Sequence, residues 1–545
     1  SARQRKLAAR LLRAWRANLP PPQWSAAGTA SLRAAAEAQV LFAAQRAPRQ
    51  TLLRVYSPPV LPGSGSGYSV VELITDDMPF LVDTLNVAIG EAGYSVQLNS
   101  RPILGAVRGA NGRLLHFRER GAGRAPVSES WQYLRIDRVP GAQECAALRQ
   151  RLAAVLRDVR LACEGWQAMR KAALAVREQL QRQPPPFPAA TVAESVALLA
   201  YMEDNHFTFL GFRRSRIRRR ADGPHLEPIA GSALGIVRAL PPAELVPLRA
   251  KRELLVVTKA NRRSTVHRPG YLDCIIIKEF DRRGRLVGEA QFLGLWTSNT
   301  YHADPRTVPL MRLKVERVMA AFPFRPSSHD SKRLLSILDN LPRDELFQAS
   351  TAELRRCARA VLAIEERPHG VCLVLRRDEM RRFWSCLVYL SRERLDREAL
   401  GRIEPVLKQA LGGGQLDSAL AVGDAPLAQL HITVRIADGT APTVNRRALE
   451  RELDATLVTW RDRLRLALRA QRDEAAAVDL ERRYAHAFPA AYQQDVTPAL
   501  AVQDIADLDG EAARGAGLLR LRLPADASKT RAHLRLLRHG EPLAI

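Results

Sequence analysis

Residues 68–92, YSVVELITDDMPFLVDTLNVAIGEA, decide how the first domain folds. Tyr68 to Thr75 is rich in β-branched and aliphatic residues and reads as a strand that ends in Asp76 and Asp77. Pro79 stands where a first-turn proline is tolerated, and Phe80 to Ala92 carries helical apolar spacing at Leu81, Leu85, Ala88 and Ile89. Gly93 closes the helix, Tyr94 to Leu98 and Pro102 to Val107 follow as strands, and Asn111-Gly112 turns the chain into Leu114 to Phe117. Trp131 to Ile136 supplies a last strand. This order of strand, helix and strands is that of a small ferredoxin-like α+β sandwich.

Working outward, Leu32 to Arg49 reads as a helix and Leu52 to Ser57 as a strand. The loop Ser57 to Gly67 (SPPVLPGSGSG) is no phosphate cradle, because its glycines precede a strand instead of following one and opening a helix. No G-x-G-x-x-G and no G-x-x-x-x-G-K occurs anywhere in the sequence. Cys145 to Arg182 is nearly uninterrupted helix, ended by the Pro184-Pro185-Pro186 linker. A helix over Thr191 to Asp204 and strands at Phe207 to Ser215, Leu254 to Lys259, Leu272 to Phe280 and Leu286 to Trp296 predict a PAS-type sheet. Helices at Val308 to Phe322, Ser331 to Asn340 and Leu346 to Glu365 lead to Val371 to Arg376, Trp384 to Leu390, helix Asp396 to Leu411 and Leu430 to Ile436, a second ferredoxin-like sandwich in another permutation. Helix resumes at Arg446 to Arg472 and Asp479 to Phe488, and Leu518 to Leu523 is a strand.

The expected division is an N-terminal helical segment (1–50), a first sandwich (51–140), a helical linker (141–186), the PAS-type domain (187–300), a helical connector (301–366), a second sandwich (367–440), a helical motif (441–515) and the start of a further domain (516–545). With Ser1 at one end and an unfinished sheet at the other, the chain reads as a fragment of a longer protein.

A length of 545 residues at 46% hydrophobic and 26% charged suits several folded domains and excludes a disordered or low-complexity chain. No apolar run approaches the roughly 18 residues of a spanning helix, so no membrane partner is expected. The net charge of +26 raises nucleic acid as a partner, but only 9 of the 83 basic residues are lysine and the arginines scatter through every helix. A nucleic-acid platform also needs exposed aromatics among basic residues, whereas aromatics make up 6% here and sit in apolar runs. A stand-alone basic nucleic-acid-binding or scaffold module is thus the alternative reading, and no nucleic acid is expected. The basic stretch Arg3 to Arg16 lacks the apolar core of a signal peptide; Arg-rich and acid-free, it has the composition of an organellar transit peptide but reads rather as a surface helix at a truncated start. Six cysteines without a C-x-x-C pair point to a reducing, cytoplasmic setting.

The corner Asp76-Asp77-Met78-Pro79-Phe80 is the most informative site. Its carboxylates suit a helix start, where they satisfy free N–H groups; the corner also suits a small amino acid, with backbone N–H groups on its carboxylate and an aspartate on its amino group. Asp204-Asn205-His206 lacks a neighbouring nucleophile or second base, so His206 reads as a capping or buried polar residue, and Thr297 to His302 either lines a pocket or stabilises a loop. His302 with Asp304, and His329 with Asp330, lack a third ligand, so no metal is expected. Cys372 and Cys386 lie in apolar strands as core residues, and no catalytic constellation is complete.

Longer strings carry a family resemblance. ITDDMPFLVDTLN (Ile74 to Asn86), DNHFTFLGF (Asp204 to Phe212), GSALGIVR (Gly231 to Arg238), FWSCLVYLSRERLDREALGRI (Phe383 to Ile403) and AFPAAYQQD (Ala487 to Asp495) resemble, in order and spacing, the N-terminal segment of the large NAD-specific glutamate dehydrogenases. The resemblance implies ACT-type sandwiches, a PAS-type domain and helical motifs preceding a catalytic domain that oxidises L-glutamate to 2-oxoglutarate and ammonia with NAD. It implies NAD for the full-length enzyme and none for this segment, regulation by a small amino acid and homo-oligomer contacts. Where many sensing ACT domains place a glycine, this corner carries Met78-Pro79-Phe80.

Overall fold

The computed structural model describes residues 2–59, 67–118, 128–221, 223–241, 245–248, 251–365, 370–395, 399–421, 427–436, 442–458, 460–484, 487–512, 518–522 and 533–537. Most of the loop 57–67, the first three residues of the expected helix 396–411 and most of 516–545 lie outside them. The chain forms two units, residues 1–324 with 338–351 and residues 325–337 with 352–545.

The first unit opens with helices α1 (Ala2–Asn18), α2 (Pro21–Ala27) and α3 (Thr29–Phe42). Strands β1 (Leu52–Tyr56) and β2 (Ser69–Asp76), helix α4 (Leu81–Glu91), and strands β3 (Val96–Ser100), β4 (Ile103–Arg108), β5 (Leu114–Arg118) and β6 (Ser128–Ile136) follow. The sheet order is β1-β2-β6-β4-β5, and β3 also pairs with β6. Strands β3 and β4 lie on successive halves of β6, with Val96 opposite Ile136 and Ile103 opposite Ser130, so they run as one strand broken at Pro102. Proline has no N–H for the ladder, but its carbonyl still accepts from Trp131 N at 2.9 Å. The edge beside β2 is filled by β1 from the N-terminal side, antiparallel to it.

Alternation along β2 and β6 sends Val70, Ile74, Trp131 and Tyr133 into a core with Leu7, Leu11 and Trp15 of α1 and Leu32, Ala36 and Val40 of α3. The basic stretch Arg3 to Arg16 is therefore no free surface helix: its arginines flank a buried stripe at helical spacing, and Trp15 meets Tyr133 with ring centroids 4.6 Å apart. Although the sequence suggests a boundary near residue 50, these helices and the sheet share one core. Leu81, Leu85, Ala88 and Ile89 of α4 are buried, as their spacing predicts.

Helix α5 (Ala142–Arg182), roughly 60 Å long at 1.5 Å per residue, packs on both β1 and the next sheet. That sheet follows α6 (Ala189–Tyr201) and comprises β7 (Phe207–Arg220), β8 (Gly223–Pro228), β9 (Leu234–Gly235), β10 (Leu255–Arg263), β11 (Tyr271–Phe280) and β12 (Leu286–Trp296). Its antiparallel order is β10-β11-β12-β7-β8, with β9 also on β7. Two of the family-like strings meet here for a steric reason. Gly235 has φ +61°, and a Cβ on it would lie 2.1 Å from the Leu210 carbonyl oxygen, while a Cβ on Gly165 of α5 would lie 2.8 Å from Gly235 N. Backbone thus meets backbone, and any side chain would part them.

After α7 (Ser298–His302), α8 (Met311–Ala320) and α9 (His329–Asn340), the expected helix Leu346 to Glu365 is two, α10 (Arg343–Gln348) and α11 (Thr351–Glu365). Lys314 Nζ ends α10 by donating to the Leu346, Phe347 and Ala349 carbonyls at 2.6–2.9 Å.

In the second unit, β13 (Cys372–Arg377), β14 (Phe383–Ser391), α12 (Ala399–Ala410), β15 (Gly413–Ala421) and β16 (Leu427–Ile436) form a four-stranded sheet of order β13-β14-β16-β15. The expected β-β-α-β pattern omits β15, whose glycines and small residues carry little β-propensity and which the ladder to β16 holds as an edge. Ile403 and Leu407 of α12 pack with Val388, Leu390, Leu430 and Ile432 and with Leu449 and Leu453 of α13 (Arg446–Thr456). Helices α14 (Trp460–Gln471), α15 (Glu474–Tyr484), α16 (Ala490–Asp495) and α17 (Pro498–Ala512) enclose a further core around Trp460, whose Nε1 donates to the Val496 carbonyl at 2.7 Å. Strands β17 (Leu518–Arg522) and β18 (His533–Leu537) pair antiparallel. Among the described residues no helix is long and apolar enough to cross a membrane.

Candidate functional site

Strand β2 runs through Asp76, Asp77 N donates to the Ser128 carbonyl at 2.8 Å, and the chain turns before α4 starts at Leu81. The carboxylates are not caps. Phe80 occupies the N-cap position in the left-handed region (φ 69°, ψ −4°) with no side-chain cap, and the acidic residue of the first turn is Asp83. Pro79 accordingly lies before the helix and not in its first turn. Proline biases Met78 out of the helical region, and the left-handed Phe80 moves the helix start to the next residue.

Asp76 is instead an ion-pair hub. Its Oδ1 accepts from Arg46 Nη2 at 2.5 Å and its Oδ2 from Arg160 Nη1 of α5 at 2.8 Å. Burial alone would raise its pKa, but these two guanidiniums outweigh burial and hold the carboxyl below its usual range. Arg46 Nη1 also donates to Glu129 Oε1 at 2.8 Å, and Arg108 grips both Glu129 oxygens at 2.7 and 3.0 Å. Trp131 Nε1 adds a fourth donor to Glu129 at 3.0 Å. A cleft of 630 Å³ opens over this network, lined by Arg46, Arg49, Asp76, Arg108 and Glu129, with Arg49 exposed at φ 63°.

The other half of the corner meets the tip of the β10–β11 hairpin. His267 (φ 71°) donates its backbone N–H to Thr84 Oγ1 at 3.0 Å, and its Nδ1 lies 3.1 Å from Asp83 Oδ2. Its ring is 5.0 Å from that of Phe80. Arg262 and Thr265, from the same hairpin, reach Asp158 of α5 at 3.3 and 2.7 Å. The five corner residues thus divide: Asp76 turns to the cleft, Asp77 and Pro79 are exposed, Met78 is half-buried, and Phe80 meets the hairpin. The sequence carries no local signal for Arg46, Arg160 or His267, which lie 30, 84 and about 180 residues from their partners.

The remaining candidates are structural. His206 stacks on Tyr201 at 3.8 Å, its Nδ1 lies 3.2 Å from the Tyr201 carbonyl, and its own carbonyl accepts from Thr297 and Thr300. The Thr297 to His302 cluster thereby stabilises a loop. Asp304 is held by Arg306 and Asp330 by Arg333. Among the described residues no cluster of three or more His, Cys, Asp or Glu could hold a metal. Cys372 and Cys386 are buried, and burial raises the Cys372 thiol to about 12.

The turns into α4 and α5 do not fit a dinucleotide. The turn into α4 carries Asp76, Asp77 and Asp83, and at the turn into α5 a Cβ on Gly141 would lie 2.6 Å from the Glu144 carboxylate. Carboxylates stand where a pyrophosphate would need N–H groups and positive charge.

Family models for glutamate dehydrogenase match in the order of these elements: the ACT1 domain at residues 11–152, helical motif 1 at 308–367, the ACT2 domain at 372–461 and helical motif 2 at 467–510. The chain is 30% identical over 508 residues to the NAD-specific glutamate dehydrogenase of Pseudomonas aeruginosa, covering 91% of this chain. It belongs to the NAD-specific glutamate dehydrogenase family. The Halomonas elongata enzyme of that name is 30% identical over 519 residues and the Mycobacterium tuberculosis enzyme 28% over 475. The chain spans 28–32% of the length of these glutamate dehydrogenases and corresponds to their N-terminal segment. The sandwich of β1–β6 lies in the ACT1 match and that of β13–β16 in the ACT2 match.

Proposed function

We propose that this chain is the regulatory and assembly segment of a cytoplasmic NAD-dependent glutamate dehydrogenase, and that the step L-glutamate + NAD⁺ + H₂O → 2-oxoglutarate + NH₄⁺ + NADH + H⁺ is carried out by residues outside it. The observation that carries this reading is the cleft beside Asp76 in an ACT-type sandwich, with cations and carboxylates side by side. Such a mixed lining suits a small amino acid, its carboxylate toward Arg49 and its amino group toward the acidic corner of Asp76 and Asp77. The second sheet, β7–β12, acts as a PAS-type domain that receives the corner's state through the His267 hairpin. Homo-oligomer contacts form along sheet edges, which are liabilities when left uncovered.

The test uses the full-length enzyme. Asp77→Ala should shift its activation by amino acids without changing basal turnover, and removal of residues 1–545 should change its mass in light scattering. An unchanged activation profile removes the corner as an effector site, and an unchanged mass removes the assembly role. The 545-residue chain alone should give no glutamate-dependent NADH; production of NADH would refute the division of labour.

A further inference from the structure

The second sheet meets helix α10 through a cluster of charge that the Asp76 corner does not use. Lys259 of β10 and Asp273 of β11 stand directly opposite each other. Lys259 Nζ donates to Asp273 Oδ1 at 2.6 Å and lies 3.0 Å from Asp344 Oδ1 of α10. Asp273 Oδ2 accepts from Trp296 N of β12 at 3.2 Å, and Tyr301 Oη of α7 donates to Asp344 Oδ1 at 3.4 Å. Three residues after Asp344, Phe347 stacks on the Trp296 ring at 4.5 Å, so one face of α10 rests on the ammonium and on the indole. The last charge at the cluster is Arg268 of the β10–β11 hairpin, whose guanidinium lies 5.2 Å from the centre of the Tyr301 ring.

Two carboxylates thus share one ammonium. The Asp273 side chain is 2% exposed and that of Asp344 is 22%, so the surplus negative charge weighs on the drier Asp273. Burial pushes the Asp273 carboxyl up to about 6, and the charge of Asp344 pushes the same way against Lys259. Linkage then fixes the direction. Docking of α10 brings Asp344 to the cluster, and a carboxylate beside Asp273 favours its protonated form; a proton on Asp273 must therefore favour docked α10. A raised carboxyl adds stability as pH falls through its folded value and loses it as pH rises past that value, so α10 tightens on acidification.

We propose that Lys259, Asp273 and Asp344 form a proton-operated latch, in which uptake of one proton by Asp273 leaves Lys259 to Asp344 alone and clamps α10 on the second sheet. The regulator is the proton itself. The latch is separate from the Asp76 corner and does not rest on ligand binding there.

The test is hydrogen exchange of peptides spanning 343–349 in the 545-residue chain at about pH 5 and about pH 7.5, with labelling times corrected for the intrinsic pH dependence of amide exchange. If opening of α10 returns Asp273 to its ordinary value of about 3.9, a folded value of about 6 makes exchange about tenfold slower at the lower pH. Asp273→Asn, neutral at every pH, should abolish the response and exchange at about pH 7.5 within about threefold of wild type at about pH 5. Asp344→Asn gives Lys259 to Asp273 alone and should cut the response to below about threefold. A wild-type response below about threefold overturns the latch. So does a full response that survives in both variants, which would assign it to His302, the imidazole next to Tyr301. Asp273→Asn exchanging faster than wild type at the higher pH would make Asp273 a plain counter-ion and overturn it as well. If Asp273→Asn fails to fold, Asp344→Asn decides alone, because Asp344 lies at the open side of the cluster.

Discussion

Replacing Glu129 by alanine should open the first sandwich locally. Glu129 is 1% exposed and accepts four hydrogen bonds, from Arg46, twice from Arg108 and from Trp131 Nε1. Its loss leaves Arg46 with Asp76 and the Gln50 carbonyl, and Arg108 with the Ala43 and Gly112 carbonyls only. One buried guanidinium is thereby stripped of its counter-ion and an indole N–H of its acceptor. Breaking one side of a buried pair costs about 3–5 kcal/mol, within which an orphaned N–H accounts for roughly 1–3. The fitting assay is hydrogen exchange of peptides spanning 69–76 and 128–136, because several domains make one global unfolding free energy ill-defined. At tenfold per 1.4 kcal/mol, exchange in those strands should accelerate by roughly 10²- to 10⁴-fold. Glu129→Gln, which keeps an acceptor but loses the charge, should fall between. The half-exposed pair of Arg151 and Glu91 is the control, where Glu91→Ala should cost no more than about 1 kcal/mol. Acceleration below tenfold in Glu129→Ala would refute the claim that this hub holds the corner.

Gly235→Ala should destabilise the second sheet by at least about 2 kcal/mol, because its Cβ would enter the Leu210 carbonyl at a positive φ; hydrogen exchange in 207–212 within about threefold of wild type would contradict the packing of α5 on β9. Asp273 accepts from Lys259 Nζ at 2.6 Å and Trp296 N at 3.2 Å and shares Lys259 with Asp344, and burial raises its carboxyl to about 6 despite the lysine. A raised carboxyl binds its proton more tightly folded than unfolded, so this group should stabilise the sheet as pH falls from about 7 toward 4. Asp76, with its carboxyl depressed, works the other way: its stabilisation is present above about pH 4 and is lost as pH falls further. Asp273→Asn should remove the rising limb from exchange measured in 271–296 while leaving 69–76 unchanged; an unaltered limb would assign it to another group.

What was legible in the sequence followed from local periodicity. The run 68–92 sets both β2 and α4 because it is first rich in β-branched and aliphatic residues over a strand's length, buried from Ser69 to Thr75, and then carries apolar residues at helical spacing whose stripe is buried. Strand β15 was not legible, because its glycines and small residues give no β signal and only the ladder to β16 makes it a strand. The corner stands out in the sequence, but its geometry does not. Pairings that reach from residue 46 to 76, 76 to 160 and 83 to 267 are tertiary, and they turned Asp76 from a presumed cap into an ion-pair hub. The buried charges of β7, β11 and β12 were hidden for a related reason: Arg213, Lys278 and Glu289 sit in strongly β-prone runs whose solvent face cannot be told from a covered one without the neighbouring segment.

Helix α5 explains why a ligand at the corner would matter beyond it. Arg160 ties α5 to Asp76 at the end of β2, and Asp158, two residues earlier, ties the same turn to Arg262 and Thr265 of the β10–β11 hairpin. The hairpin returns to the corner through His267, which contacts Thr84, Asp83 and Phe80. Corner, helix and hairpin therefore close a ring of charged and hydrogen-bonded contacts around two sheets. A displacement of Asp76 or Phe80 must break a contact in that ring or carry the hairpin with it. Such a ring transmits a ligand's effect only to the extent that the ligand binds one arrangement more tightly than the other. A ligand at the corner is coupled to the second sheet if its binding changes hydrogen exchange in residues 255–280 of the wild type, and if that change disappears when His267→Ala opens the ring.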